Sequence, residues 1–260
     1  AAASGRLSSS QPNCFDGETE VLTPDGWVRF DVLREGVPIA QWDAGKLTFV
    51  QPTAYVKQQA TKLLDIMGPQ LHLAVTPDHR CALRQRYAGK MHVFAAADYP
   101  STREWHQLHS GNYEGGTTFV PNNQLALLAA LVLDGKQTDA GLVIATRKPW
   151  NIRTLVAALD EMGGTYQVEP VNASLVGGTV TLPVQKITIW ATALLDDHLQ
   201  LGTWAFLLDT ATRKQLLYEL VRWSAITGSF TTPSKINADI VQALGVLGGI
   251  KTQLTEKIDG

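Results

Sequence analysis

From Cys14 to about Leu83 the apolar residues come in short alternating runs broken by turn formers, the period-two signature of half-buried strands. Glu20-Val21-Leu22 and Trp27-Val28-Arg29-Phe30 flank Thr23-Pro24-Asp25-Gly26, where Pro fixes φ and Gly supplies φ > 0 for a hairpin turn. Further strands are predicted at Pro38–Trp42, Leu47–Val50, Ala54–Lys57, Leu63–Met67 and Leu71–Thr76, so this part reads as all-β. Residues 84–120 are mixed and polar, with Gly111 and Gly115-Gly116 marking loops, and read as a connector with short elements at most.

The period then changes. Leu125, Leu128, Ala129, Leu131 and Val132 recur at helical spacing and stop at Asp134-Gly135, a glycine suited to a helix C′ position. A strand at Leu142–Thr146, a helix opened by Pro149 and running from Asn151 to Met162, and strands at Thr165–Val171 and Val180–Trp190 are predicted next. A weaker echo follows: a helix from Arg213 to Ile226, a strand at Ser229–Thr232, a helix from Lys235 to Leu247 and a strand at Ile250–Thr255. This second half is α+β, and the repeated order predicts a pseudo-symmetric domain of two related halves. The chain stops at Ile258-Asp259-Gly260, a turn signal, so that domain is expected to be incomplete at its C-terminus.

Composition narrows the class. With 260 residues, 45% hydrophobic and 18% charged, the chain can bury a sizeable core and is long enough for two domains. Its longest apolar stretch, Leu125 to Leu133, is far short of the ~20 residues that span a bilayer. No membrane partner is expected, and a soluble cytoplasmic location is. A net charge of −2 excludes a surface that is one continuous nucleic-acid footprint, though not a single basic face. The two cysteines, Cys14 and Cys81, cannot make a disulfide scaffold and lack metal-ligand spacing.

Residues 1–13 carry almost no large apolar side chain and read as an extended leader, which places Cys14 where leader meets first strand. A thiol there could attack its own upstream carbonyl, or could simply pack as a small hydrophobe. The second candidate is Thr76-Pro77-Asp78-His79, a hydroxyl and an imidazole three residues apart at a strand end. An imidazole titrating near neutrality can protonate a leaving nitrogen. Alone, the spacing suits a core histidine equally well. Asp78 either tunes the imidazole or caps the turn, and Cys81, with no base nearby, reads as structural.

Taken together and in this order, Cys14-Phe15-Asp16-Gly17-Glu18-Thr19-Glu20-Val21-Leu22-Thr23-Pro24-Asp25-Gly26-Trp27 and Val75-Thr76-Pro77-Asp78-His79 resemble the N-terminal and Thr-x-x-His splicing blocks of an intein, with the all-β, horseshoe-like Hint fold. The likeness covers about residues 14–83. It implies that Cys14 makes an N-to-S acyl shift at the scissile Asn13–Cys14 bond, giving a thioester. Thr76 and His79 would hold and polarise that bond, His79 protonating the departing nitrogen. Splicing needs no cofactor. Leu127-Leu128-Ala129-Ala130-Leu131-Val132-Leu133-Asp134-Gly135 resembles a LAGLIDADG endonuclease helix, which implies that Asp134 is a catalytic ligand for Mg2+ or a similar divalent ion, with double-stranded DNA as partner. The paired motif would be Leu220 to Ser229, where Thr227 stands in place of the second carboxylate and bulky Arg222 and Trp223 occupy positions that close helix packing leaves to small residues. Residues 121–250 hold nine Lys or Arg against ten Asp or Glu, a net of −1, so a degenerate nuclease is expected.

Ser4-Gly5-Arg6-Leu7-Ser8-Ser9-Ser10-Gln11-Pro12-Asn13 resembles a segment of family A (DNA polymerase I type) DNA polymerases, which implies a polymerase host, or extein. The domains expected are therefore a leader at 1–13, the N-terminal part of a Hint domain with connector at 14–120, and a truncated LAGLIDADG-like domain at 121–260. An intein closes with a His-Asn pair and none is found, so either a split intein needing a C-terminal intein fragment and C-extein as partners or a truncated intein is expected, the break inside the endonuclease-like region favouring the split. The alternatives are a working homing endonuclease or nickase with the β-domain as accessory DNA platform, and another Hint-type autoprocessing protein.

Overall fold

The computed structural model describes residues 14–255 apart from 69–70, 88, 101–103, 109, 140, 147–148, 172–183, 192–199 and 225–227. The chain divides into two compact units, one running up to Asn112 and resuming at Gly249, the other spanning Tyr113–Gly248. Among the described residues the architecture is mixed, many strands in small sheets and four α-helices. Among the described residues no helix is long and apolar enough to cross a membrane.

In the first unit β1 (Glu20–Thr23) and β2 (Gly26–Arg29) form the hairpin that Pro24-Asp25 predicts, with Thr23 opposite Gly26. Gly26 has φ +105°, and the buried Thr23 hydroxyl donates to its carbonyl at 2.8 Å, so the turn is satisfied from inside. β3 (Ile39–Asp43) and β4 (Lys46–Val50) are joined by Ala44-Gly45, both at positive φ (46° and 92°). Such a turn matches the strand twist but puts an alanine where its Cβ is strained.

β5 (Leu64–Gly68) and β6 (Leu71–Val75) pair antiparallel, Leu64 opposite Val75 and Ile66 opposite Leu73. Alternation sends these four inward while Asp65, Met67 and His72 face out. With Cys81, Ala96, Phe15 and Tyr99 they build the local core, Val75 fully enclosed. β7 (Arg80–Gln85) contributes Cys81 and Leu83 from its inward face and lies between β8 (Met91–Ala95) and β9 (Trp105–Gln107). β10 (Asn112–Tyr113) pairs with β4 on the edge that β3 leaves open.

Two expectations change here. Ala54–Lys57 is no strand: Ala54, Val56 and Lys57 are exposed, and Tyr55 is tied by its hydroxyl to Phe30 O at 3.3 Å instead of by a ladder. Conversely β8 lies in the stretch read as connector. It is fixed by cross-strand contacts, since His92, Phe94 and Trp105 meet with ring centroids 4.9 Å apart for the two Trp105 pairs.

The second unit is built around α1 (Asn122–Asp134), in which every residue from Leu125 to Leu131 is at most 2% exposed. A helix apolar on all sides needs cover on all sides. It receives it from α2 (Pro149–Glu161), α3 (Thr210–Trp223) and a four-stranded antiparallel sheet. That sheet, of order β11-β12-β14-β13, consists of β11 (Gly135–Thr138), β12 (Gly141–Thr146), β13 (Thr165–Val171) and β14 (Val184–Ala191). Leu142, Ile144, Ile187 and Ile189 fill its inner face. α3 buries Thr212, Arg213, Leu216, Leu217, Glu219, Leu220 and Trp223, one stripe at three- and four-residue spacing, and packs on α1 and on α4 (Lys235–Leu247). Asp209 and Ser234 cap these two helices by accepting from Thr212 N and Asn237 N.

Gly135 does not adopt the left-handed cap conformation. At φ −69° and ψ 138° it is already the first residue of β11, opposite Ile144, so α1 ends because the chain enters a sheet. The echo is also only partial: α3 and α4 form, but neither Ser229–Thr232 nor Ile250–Thr255 is a strand. Thr231 N is taken by the Ser224 hydroxyl at 3.3 Å, and Ile250 and Leu254 are about half exposed, 44% and 50%, with no inward face to bury.

Two packing details hold this unit. Arg213, wholly buried, donates from Nη2 to Leu208 O at 2.9 Å and from Nη1 to Tyr113 O at 3.1 Å and Leu247 O at 3.4 Å. Its guanidinium also lies 5.1 Å from the Tyr113 ring centre. Gly116 passes so close to the Leu207-Leu208 backbone that a Cβ would fall onto Leu208 O and within 2.6 Å of Leu208 C.

Candidate functional site

Cys14 enters the fold through β6. Phe15 bridges antiparallel to Val75, Asp16 N donates to Ala74 O at 2.8 Å, and Thr76 N donates to Cys14 O at 3.0 Å. The last residue before Phe15 is thus carried alongside the first residue after β6, and period-two alternation puts Thr76 beside it. Cys14 N, which is the nitrogen of the Asn13–Cys14 peptide bond, donates to Thr76 Oγ1 at 3.4 Å. The turn continues with His79 N donating to Thr76 O at 2.9 Å, and β7 starts at the next residue.

Thr76 and His79 are 7% and 8% exposed. The imidazole stands edge-on to Phe15, centroids 4.4 Å apart, and Phe15 stacks on Phe30 at 4.9 Å. Burial lowers the His79 pKa from its ordinary 6.5, partly offset by a backbone hydrogen bond with Cys14 and by the Asp78 carboxylate. The ring is therefore neutral near pH 7, able to take a proton and hand it on. Its Nδ1 is buried with no hydrogen-bond partner among the described residues, as is Asp78 Oδ2.

The structure therefore brings Cys14, Thr76 and His79 together. It separates Cys81 from them in role: that thiol is 2% exposed in the core, burial raises its pKa, and its sulfur lies 3.9 Å from His79 O. Asn13 lies outside the described residues. One contact has no counterpart in the sequence motifs: Gln58 Nε2 donates to Cys14 Sγ at 3.7 Å from the irregular segment between β4 and β5.

Asp134 is the last residue of α1 and is exposed. Among the described residues no group of three His, Cys, Asp or Glu side chains gathers to hold a metal ion. Thr227 lies outside the described residues. Arg222 and Trp223 do not prevent α3 from packing on α1: Trp223 is 4% exposed, and Arg222 turns back to Glu219 at 2.9 Å. No protein-family model and no curated protein matches this chain.

Proposed function

We propose that the first unit is the N-terminal part of an intein-type (Hint) splicing domain and that Cys14 performs an N-to-S acyl shift on the Asn13–Cys14 bond. The observation that carries this is the pairing of Cys14 with Thr76 through both backbone groups and the Thr76 hydroxyl, against a buried, neutral His79. In the step, the Cys14 thiol proton passes to His79 while the sulfur attacks the Asn13 carbonyl carbon. A C–S bond forms, the C–N bond breaks and the proton returns to the Cys14 nitrogen, giving a thioester and a free amine. The Thr76 hydroxyl orients that nitrogen throughout. No cofactor enters.

The test is release of residues 1–13 by dithiothreitol or hydroxylamine, with the chain alone and mixed with candidate C-terminal partners. Release from the native chain is expected, with Cys14→Ala inert and His79→Gln slowed at least tenfold, general acid–base catalysis contributing about 10²–10⁴ in rate. Absence of release in every mixture, with Cys14→Ala indistinguishable, sinks the reading.

For the second unit we propose a LAGLIDADG-type domain whose nuclease chemistry is impaired, hosted with the splicing unit in a polymerase-like extein. The packing of α1 on α3 with Asp134 at the end of α1 supports the architecture, and the net charge of −1 over residues 121–250 supports the impairment. Metal-dependent nicking of plasmid carrying the uninterrupted host gene, abolished by Asp134→Asn, would instead favour a working nickase.

A further inference from the structure

The segment between β4 and β5 makes two ties to the Cys14 site and no ladder. Tyr55 fastens it to Phe30 O at 3.3 Å, and Phe30 is the outer ring of the Phe30–Phe15–His79 stack. Three residues on, Gln58 Nε2 donates to Cys14 Sγ at 3.7 Å. Residues 56–63 are otherwise exposed, so neither burial nor sheet pairing fixes the Gln58 side chain. Holding a long exposed amide in one place costs rotamer freedom, and a neutral thiol is a weak acceptor that returns little for it. An amide N–H donated to sulfur becomes a strong hydrogen bond only when the sulfur is charged.

We infer that Gln58 positions the Cys14 sulfur and stabilises its anionic form during attack, an assignment that rests on the acyl-shift reading of this site. Tyr55 acts one step removed, as the positioning residue that sets where the amide hangs. The bond changes are those of the acyl shift, and Gln58 gains and loses nothing. What it contributes is a hydrogen-bond donor to the sulfur, while Thr76 holds the leaving nitrogen.

The test uses the full chain and two rates. The first is alkylation of Cys14 by iodoacetamide at pH 7, followed by peptide mass spectrometry that separates it from the buried Cys81. The second is thiol-induced release of residues 1–13. Gln58→Glu keeps the shape but swaps the donor for a carboxylate, and is expected to slow both rates about tenfold. Gln58→Ala should slow them several-fold. Gln59→Glu adds the same charge at an exposed neighbour and should leave both within twofold of the native chain. Both positions are exposed, so an unchanged denaturant midpoint separates the effect from misfolding. Alkylation in Gln58→Glu within twofold of the native chain overturns the inference whatever the release rate shows. Slowed alkylation together with no release from the native chain, alone or in any mixture with candidate C-terminal partners, upholds the contact and overturns the acyl-shift reading instead.

Discussion

His79 carries its burial into the pH dependence of folding. Burial depresses its pKa in the fold below the ordinary 6.5, which the unfolded chain keeps, so between those values the unfolded chain binds a proton that the fold refuses. Stability is then fully present above pH 6.5 and falls as the pH drops below it toward the depressed value. Urea midpoints of the first unit should decline from pH 7.5 to 5.5, and His79→Gln should flatten that decline. At Arg213 the geometry decides instead of titration. Three carbonyls are shared between the two terminal nitrogens of the guanidinium fork, and a lysine's single nitrogen cannot take both places. Arg213→Lys should cost about 2 kcal/mol or more in urea unfolding, because buried carbonyls lose their donors.

At the scale of elements, the β3–β4 hairpin turns through Ala44 at φ 46°, the one non-glycine at positive φ among the described residues. Ala44→Gly should stabilise by about 0.5–1 kcal/mol, the relief of Cβ strain exceeding the entropy added to the unfolded chain, and a rise of a few degrees in melting temperature would register it. How far the elements were legible depends on what formed them. α4 (Lys235–Leu247) and β13 (Thr165–Val171) match the expected bounds because periodicity and turn formers act locally. β11 was not legible, since Gly-Lys-Gln-Thr has no apolar alternation and is a strand only because β12 pairs with it. β8 likewise depends on partners, Phe94 and His92 against Trp105. Ala54–Lys57 and Ile250–Thr255 fail the other way: they have strand-forming residues but no neighbouring edge. The site shows the same division. Cys14, Thr76 and His79 are motif residues at a strand start and a strand end, whereas Gln58 meets the sulfur across 44 positions of chain and belongs to no pattern.

For the whole molecule, the division into two units means two separate cores, one around Val75 and Cys81, the other around α1. Gly116→Ala drives a methyl group into the Leu208 backbone and should destabilise the second unit by about 3 kcal/mol or more. Two calorimetric transitions are expected, with that variant lowering one while thiol-induced release at Cys14 continues; a single transition shifted as a whole, with release lost, would join the units energetically. Charge points the same way for nucleic acid: with a net of −1 over residues 121–250, retention on heparin at physiological salt should be weak. The segment that carries Gln58 has one more consequence, for engineering. Its ties are at Tyr55 and Gln58, and from Gln59 to Leu63 the chain is exposed before β5 begins. An inserted tag or epitope just after Ala60 should therefore be tolerated, whereas the same insert between Tyr55 and Gln58 would carry the amide off the sulfur, giving the site an external handle by which its reactivity could be set.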